Sequence, residues 1–158
     1  LGSGFLACVA YQTLKIEKFT NHIDVVGNSN KDVWGEVLLN HIPNKKYSVV
    51  IDLSGGDTVF TADILNNQAL VVFGAQKTVT TDFSKLLWRA CTMIFPSPRT
   101  DNFYKCMQDA EYWITNGDIN VDKFWTKGYN RDTEWQQAFA DGNNRPQNYS
   151  RGYIYWNQ

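Results

Sequence analysis

Gly2-Ser3-Gly4-Phe5-Leu6-Ala7 stands at the head of the sequence, directly before the apolar run that continues to Leu14. The spacing is G-x-G-x-x-G/A, a tight turn that opens a helix and lets its N-terminus hold a pyrophosphate. The first glycine permits the turn, and the second leaves no side chain between backbone and phosphate. Ala7, the third small residue, lets the helix pack close to a sheet. Unpaired N–H groups and the helix dipole both point at such an anion. The strand that should lead into this turn is reduced to Leu1, so the first strand is expected to be nearly absent.

Outward from that turn, helix and strand signals alternate. A buried helix is expected over 5–15, and a short β-branched strand over 22–26 ends at Gly27-Asn28-Ser29-Asn30. Asn30 is placed to cap a helix over 32–39. Apolar runs predict strands over 47–53, 69–74 and 91–95, the last halted by Pro96 and Pro98. Helices are expected over 58–65, 83–89, from 101 or 102 to 115, and over 133–140, with a final strand at 153–156. Asn116-Gly117 supplies a left-handed helix stop. This alternation implies an α/β fold of three layers around a mostly parallel sheet, in one domain spanning 1–158. Between the strand at 22–26 and the strand at 47–53 there is room for one helix and little else. The third strand of the sheet is therefore expected to be missing or vestigial, narrowing the sheet on that side.

A chain of 158 residues with 43% hydrophobic content is long enough for a real core. A formal net charge of -1 argues against a general nucleic-acid binder, which would carry a basic excess. Cys8, Cys91 and Cys106 are odd in number and far apart, which supports neither a zinc site nor a disulfide framework. Reduced thiols in a cytoplasmic protein are the plain reading. His22 and His41 read as surface or strand-edge residues rather than metal ligands. The run from Phe5 to Leu14 is too short to span a bilayer, and no signal-peptide layout precedes it. Asp109 with Glu111, and Asp118 with Asp122, lack a spacing that implies acid–base chemistry. Ser54 sits in no G-x-S-x-G elbow. Arg99, Arg131, Arg145 and Arg151 read as solvated surface charges, with a gathering around a phosphate as the sharper alternative. No catalytic residue is assigned.

The ordered set of motifs resembles the cofactor domain of the medium-chain dehydrogenase/reductase superfamily, the zinc-type alcohol and polyol dehydrogenases. That set runs Gly2 to Ala7, Asp24-Val25-Val26-Gly27, Val49 to Gly56, and Leu70-Val71-Val72-Phe73-Gly74. Asn116-Gly117-Asp118-Ile119, then Thr126-Lys127-Gly128-Tyr129 and Glu134 through Ala138-Phe139, are similar to the tail of the same family. The resemblance implies a Rossmann-like fold and a nicotinamide dinucleotide. It places Gly2, Ser3, Gly4, Phe5 and Leu6 against the pyrophosphate. Ser54, Gly55, Gly74 and Ala75 would line the nicotinamide half, with Pro96 and Ser97 approaching from the far side. NAD-specific members carry an acidic residue just after the second strand to hold the ribose hydroxyls. Here that position reads Gly27-Asn28-Ser29 with Lys31 nearby, which favours NADP(H) over NAD(H) unless Gly27-Asn28 is only a turn.

The family's zinc and substrate residues belong to a separate catalytic domain that is not expected in this chain, and no zinc is expected. The chain alone is therefore expected to be catalytically incomplete. The reading is an alcohol- or polyol-dehydrogenase-like cofactor domain, with sugar phosphates among the candidate substrates. The alternative is a non-catalytic binding or assembly module derived from it. The segment 80–95 resembles the region through which family members dimerise, so the expected partners are the dinucleotide and either a second copy or a separately encoded catalytic domain.

Overall fold

A computed structural model describes residues 1–156. Its residues fall into two compact units, Leu1–Ile119 and a second beginning at Asn120, where the sequence pattern suggests a single domain.

In the first unit helix α1 (Phe5–Ile16) follows the glycine turn, with Gly4 in extended backbone at its N-cap and no side chain capping it. Ala7 and Cys8 are its buried residues. Lys18 takes a left-handed φ of 49°, and Phe19 N–H returns to the Leu14 carbonyl, which closes the helix. Strands β1 (Val25–Val26) and β2 (Leu38–Leu39) pair in parallel, Val25 opposite Leu38 and Val26 opposite Leu39. The third strand of the expected order is thus present as two residues.

Strand β3 (Tyr47–Asp52) pairs with β4 (Leu65–Phe73), and β4 with β5 (Thr92–Ile94), all parallel. Leu1 and Gly2 hold the place between β1 and β3. The Leu1 nitrogen donates to the Ile51 carbonyl at 2.6 Å, and Leu53 N–H donates to the Leu1 carbonyl at 2.8 Å. Gly2 N–H donates to the Val26 carbonyl at 2.8 Å on the other side. Leu1 and Gly2 therefore bridge the two strands, and the lateral order runs β2, β1, Leu1–Gly2, β3, β4, β5.

Two helices are shorter than their sequence pattern suggests. Helix α2 covers Lys31–Trp34 and not 32–39, because Gly35 turns to a φ of 56° and Leu38 and Leu39 extend to pair with β1. Asn30 occupies its N-cap in left-handed backbone but makes no side-chain cap; its amide donates to the Ser3 carbonyl instead. Helix α3 is only Thr58–Thr61. Ala62 goes extended, and Ile64 and Leu65 sink into the core where the helical pattern would have carried them to 65. Burial of these two apolar side chains, each contributing about 1.5–3 kcal/mol, outweighs local helix preference.

The core lies on one face of β3 and β4, where Val50, Val71 and Phe73 meet Val59, Phe60 and Leu86 of α3 and α4 (Ser84–Trp88). The Phe73 ring stacks on Phe60 at 5.6 Å and on Phe95 at 5.2 Å between centroids. Helix α5 (Phe103–Thr115) ends at Gly117, whose φ is 78°.

The second unit joins strand β6 (Trp125–Asn130) to β7 (Arg151–Tyr155) in parallel through helix α6 (Arg131–Asn144). Asn130 caps α6 by accepting from Asp132 N–H at 2.8 Å, and Glu134 reaches back to accept from Asn130 N–H at 2.9 Å. Tyr129 is fully buried, with its hydroxyl donating to Asp141 at 2.7 Å.

Candidate functional site

Parallel strands deliver all their following loops to one edge of the sheet, and ligands of such folds bind at that edge. In the first unit the loop after β1, the glycine turn and the loop after β3 meet around one cleft of about 910 Å³, counting its open mouth. Of the residues singled out in the sequence, Gly2, Ser3, Gly4, Gly27, Asn28, Ser29 and Ser54 line it.

The turn is fixed from several directions. The Ser3 carbonyl accepts from the Asn30 amide and from the Trp34 indole, each at 2.9 Å. Its hydroxyl lies 3.0 Å from that of Ser29 and accepts from Ser29 N–H at 3.2 Å. Gly2 has a φ of 106°, and a Cβ there would sit 3.2 Å from the Leu53 carbonyl carbon. A Cβ on Gly4, in contrast, would meet nothing within 4 Å. One glycine is required by packing and backbone; the other leaves the helix N-terminus open to a ligand. That open cradle, with hydroxyl and amide donors around it, fits a pyrophosphate-bearing molecule.

Farther along the same edge, Gly55 forms a parallel bridge with Gln76, and Gly74 N–H donates to the Asp52 carbonyl at 2.9 Å. These contacts set the loops after β3 and β4 side by side. The Asp52 side chain is completely buried and orders the first of them, its Oδ1 accepting from Ser54 N–H at 2.9 Å and from the Ser54 hydroxyl at 2.6 Å. Its Oδ2 is buried with no hydrogen-bond partner among the described residues.

Gly55, Gly74, Ala75, Pro96 and Ser97 follow β3, β4 and β5 along this edge but do not line the cleft. Phe5 and Leu6 sit in the first turn of α1, and Lys31 begins α2; none of the three lines the cleft. Asn40, His41, Ile42 and Thr58 do line it and were not anticipated. The signal for the first three was Leu38-Leu39: read as a strand parallel to β1, it sends its following loop to the same edge.

A second, more apolar cleft lies beneath α1, among Ala10, Tyr11, Leu14, Ile23, Val49 and Ile51. At its rim the Lys45 ammonium, 2.6 Å away, and the Tyr47 hydroxyl, also at 2.6 Å, hold the Asp24 carboxyl below its usual range. Among the described residues no three His, Cys, Asp or Glu side chains gather where they could hold a metal ion. No described helix is long and apolar enough to cross a membrane.

The sequence matches no protein-family model and no curated protein. Solved structures do match. L-idonate 5-dehydrogenase from Escherichia coli superposes with a TM-score of 0.78 at 17% identity, over 97% of this chain and 48% of that one. This chain shares its fold with half of that dehydrogenase. A short chain alcohol dehydrogenase from E. coli, solved in complex with NADH, gives a TM-score of 0.71 at 11% identity, over 99% of this chain and 50% of the other. An E. coli oxidoreductase/dehydrogenase of unknown specificity, involved in membrane biogenesis, gives 0.53 at 19% identity over 72% of this chain and 32% of its own. This chain spans about half the length of the first two dehydrogenases. The Rossmann-like α/β fold expected from the sequence is thus the one this chain shares with these dehydrogenases.

Proposed function

We propose that the chain is the nicotinamide-dinucleotide-binding part of an alcohol- or polyol-dehydrogenase-like oxidoreductase, with sugar phosphates among its candidate substrates. The observation that carries this is the Gly2-Ser3-Gly4 turn. It is pinned between β1 and β3, and a side chain at Gly4 would point into open space at the mouth of α1. Bound there, the dinucleotide would supply hydride exchange with a carbonyl or alcohol. Gly2, Ser3 and Gly4 would hold its pyrophosphate, and Gly27, Asn28 and Ser29 its adenosine ribose. Ser54, Gly55, Gly74 and Ala75, with Pro96 and Ser97, would border its nicotinamide half. Groups that bind and polarise the substrate belong, in this reading, to a separate catalytic domain.

NADP(H) is the favoured form, because no carboxylate stands at 27–29 to repel a 2′-phosphate. The proposal includes a cytoplasmic homodimer formed through α4 and β5. All three residues of that edge strand are exposed, and Leu87 and Trp88 of α4 are 74% and 84% exposed.

The test is a titration of the purified chain with NADPH and NADH, following tryptophan fluorescence and energy transfer to the nicotinamide. Saturable binding, tighter for NADPH, is the expected result. No binding of either by a chain shown to be folded would overturn the proposal and favour an assembly role.

A further inference from the structure

We propose that His41 selects a phosphorylated ribose in this cleft, acting as the cationic partner of a phosphomonoester. The inference rests on the dinucleotide reading above and goes beyond it by assigning the residue that discriminates.

The placement follows from strand register. Val26 pairs with Leu39, and Gly27 N–H donates to the Leu39 carbonyl at 3.1 Å. Parallel neighbours lie about 4.8 Å apart, so the two chains leave the sheet side by side. Asn28 and Ser29 emerge from one, Asn40 and His41 from the other, and all four line the same cleft. Residues 28 and 29 follow the strand where the ribose is expected, so His41 stands one strand over from them.

His41 is also the one titratable side chain among the described residues that line the cleft. Serine, threonine and asparagine side chains make up the rest of its polar wall, and these solvate a phosphate without neutralising it. Charged groups on adjoining elements do not take this place. Lys31 and Asp32 on α2, Glu36 in the turn after it, and Asp57 ahead of α3 do not line the cleft. Lys45 is paired with Asp24 and Lys46 with Asp63. No carboxylate side chain lines the wall to oppose the phosphate. The Leu1 amino group also lines the cleft but donates to the Ile51 carbonyl at 2.6 Å, which leaves His41 as the titratable side chain that can meet a dianionic group.

An imidazole takes up its proton between about pH 5 and 8, and a phosphomonoester becomes dianionic above about pH 6.

The experiment measures NADPH and NADH affinity at about pH 6.5 and about pH 8.5 for the full chain and for the His41→Ala and His41→Arg variants. Circular dichroism checks each fold. The expected preference for NADPH is about tenfold at the lower pH and shrinks at the higher one. His41→Ala should remove most of that preference at the lower pH. His41→Arg should restore it and hold it constant across pH. Dinucleotide binding with no NADPH preference, or with one that ignores pH and survives His41→Ala, would overturn the role of His41 and leave the cofactor reading standing. A folded chain that binds neither dinucleotide would overturn the cofactor reading itself, and this inference with it.

Discussion

The Ser3 hydroxyl stands 3.0 Å from the Ser29 hydroxyl, joining the turn that opens α1 to the loop that follows β1. Ser29 N–H also donates to the Ser3 oxygen at 3.2 Å. Residues 26 positions apart in sequence thereby become one wall of the cleft.

Gly27 lies inside this junction. A Cβ there would fall 2.5 Å from Ser3 Oγ and 2.6 Å from Ser3 Cβ, closer than packed atoms tolerate. Gly27→Ala should displace the turn, costing about 1–3 kcal/mol of stability, and weaken NADPH binding along with it. Urea denaturation and fluorescence titration of the variant check the two effects together. Unchanged stability would mean that Ser3 swings aside freely.

Gly2 and Gly4 should separate folding from binding. Gly2→Ala puts a side chain at a φ of 106° and against the backbone of Leu53 and Ser54, so a loss of at least about 1 kcal/mol is expected. Gly4 has a φ of -83° with nothing near its missing Cβ. Gly4→Ala should stay within about 1 kcal/mol of the parent, that margin being the weaker N-cap. It should nonetheless lose more than about tenfold in dinucleotide affinity, because the methyl occupies the approach to the helix N-terminus. Melting curves paired with titrations measure both; a Gly4→Ala variant that binds normally would contradict the pyrophosphate assignment.

Asp141 predicts an acid-side loss of stability. Hydrogen bonds from Lys127 at 2.7 Å, Tyr129 at 2.7 Å and Gln137 at 2.6 Å hold its carboxyl down to about 2. An unfolded aspartate titrates near about 3.9. Because the folded value is the lower one, this stabilisation is complete above about pH 4 and is lost as pH falls toward about 2. Thermal melts across that window should show a steeper decline for the parent than for Asp141→Asn, whose amide does not titrate. Equal slopes would assign the acid loss to other groups.

Self-association can be tested at Trp88, which is 84% exposed on α4. Trp88→Asp should shift a dimer to monomer in sedimentation velocity without changing the melting temperature of the monomer by more than a few degrees. A parent chain that is monomeric at high concentration would remove the dimer from the proposal.

Much of the fold was legible because it follows from periodicity and glycine chemistry. The apolar run at 69–74 is a buried parallel strand, and the vestigial third strand follows from too few residues between the strands at 25–26 and 47–52. Segments under competing forces were less legible. The run 58–65 carries a helical signal, yet Ile64 and Leu65 are only 4% and 2% exposed and belong to the core and β4. The run 32–39 fails likewise, because Leu38 and Leu39 find partners in β1 only after the chain has folded back.

By itself the sequence determined the α/β class and the turn at Gly2-Ser3-Gly4, since these depend on local backbone freedom and on spacing along the chain. Tertiary structure alone decided that Leu1 and Gly2 bridge β1 and β3, and that His41 lines the cleft while Lys31 does not. It likewise decided that Asp141 collects Lys127, Tyr129 and Gln137. Those relationships are set by strand register and burial, which bring together residues that no local pattern connects.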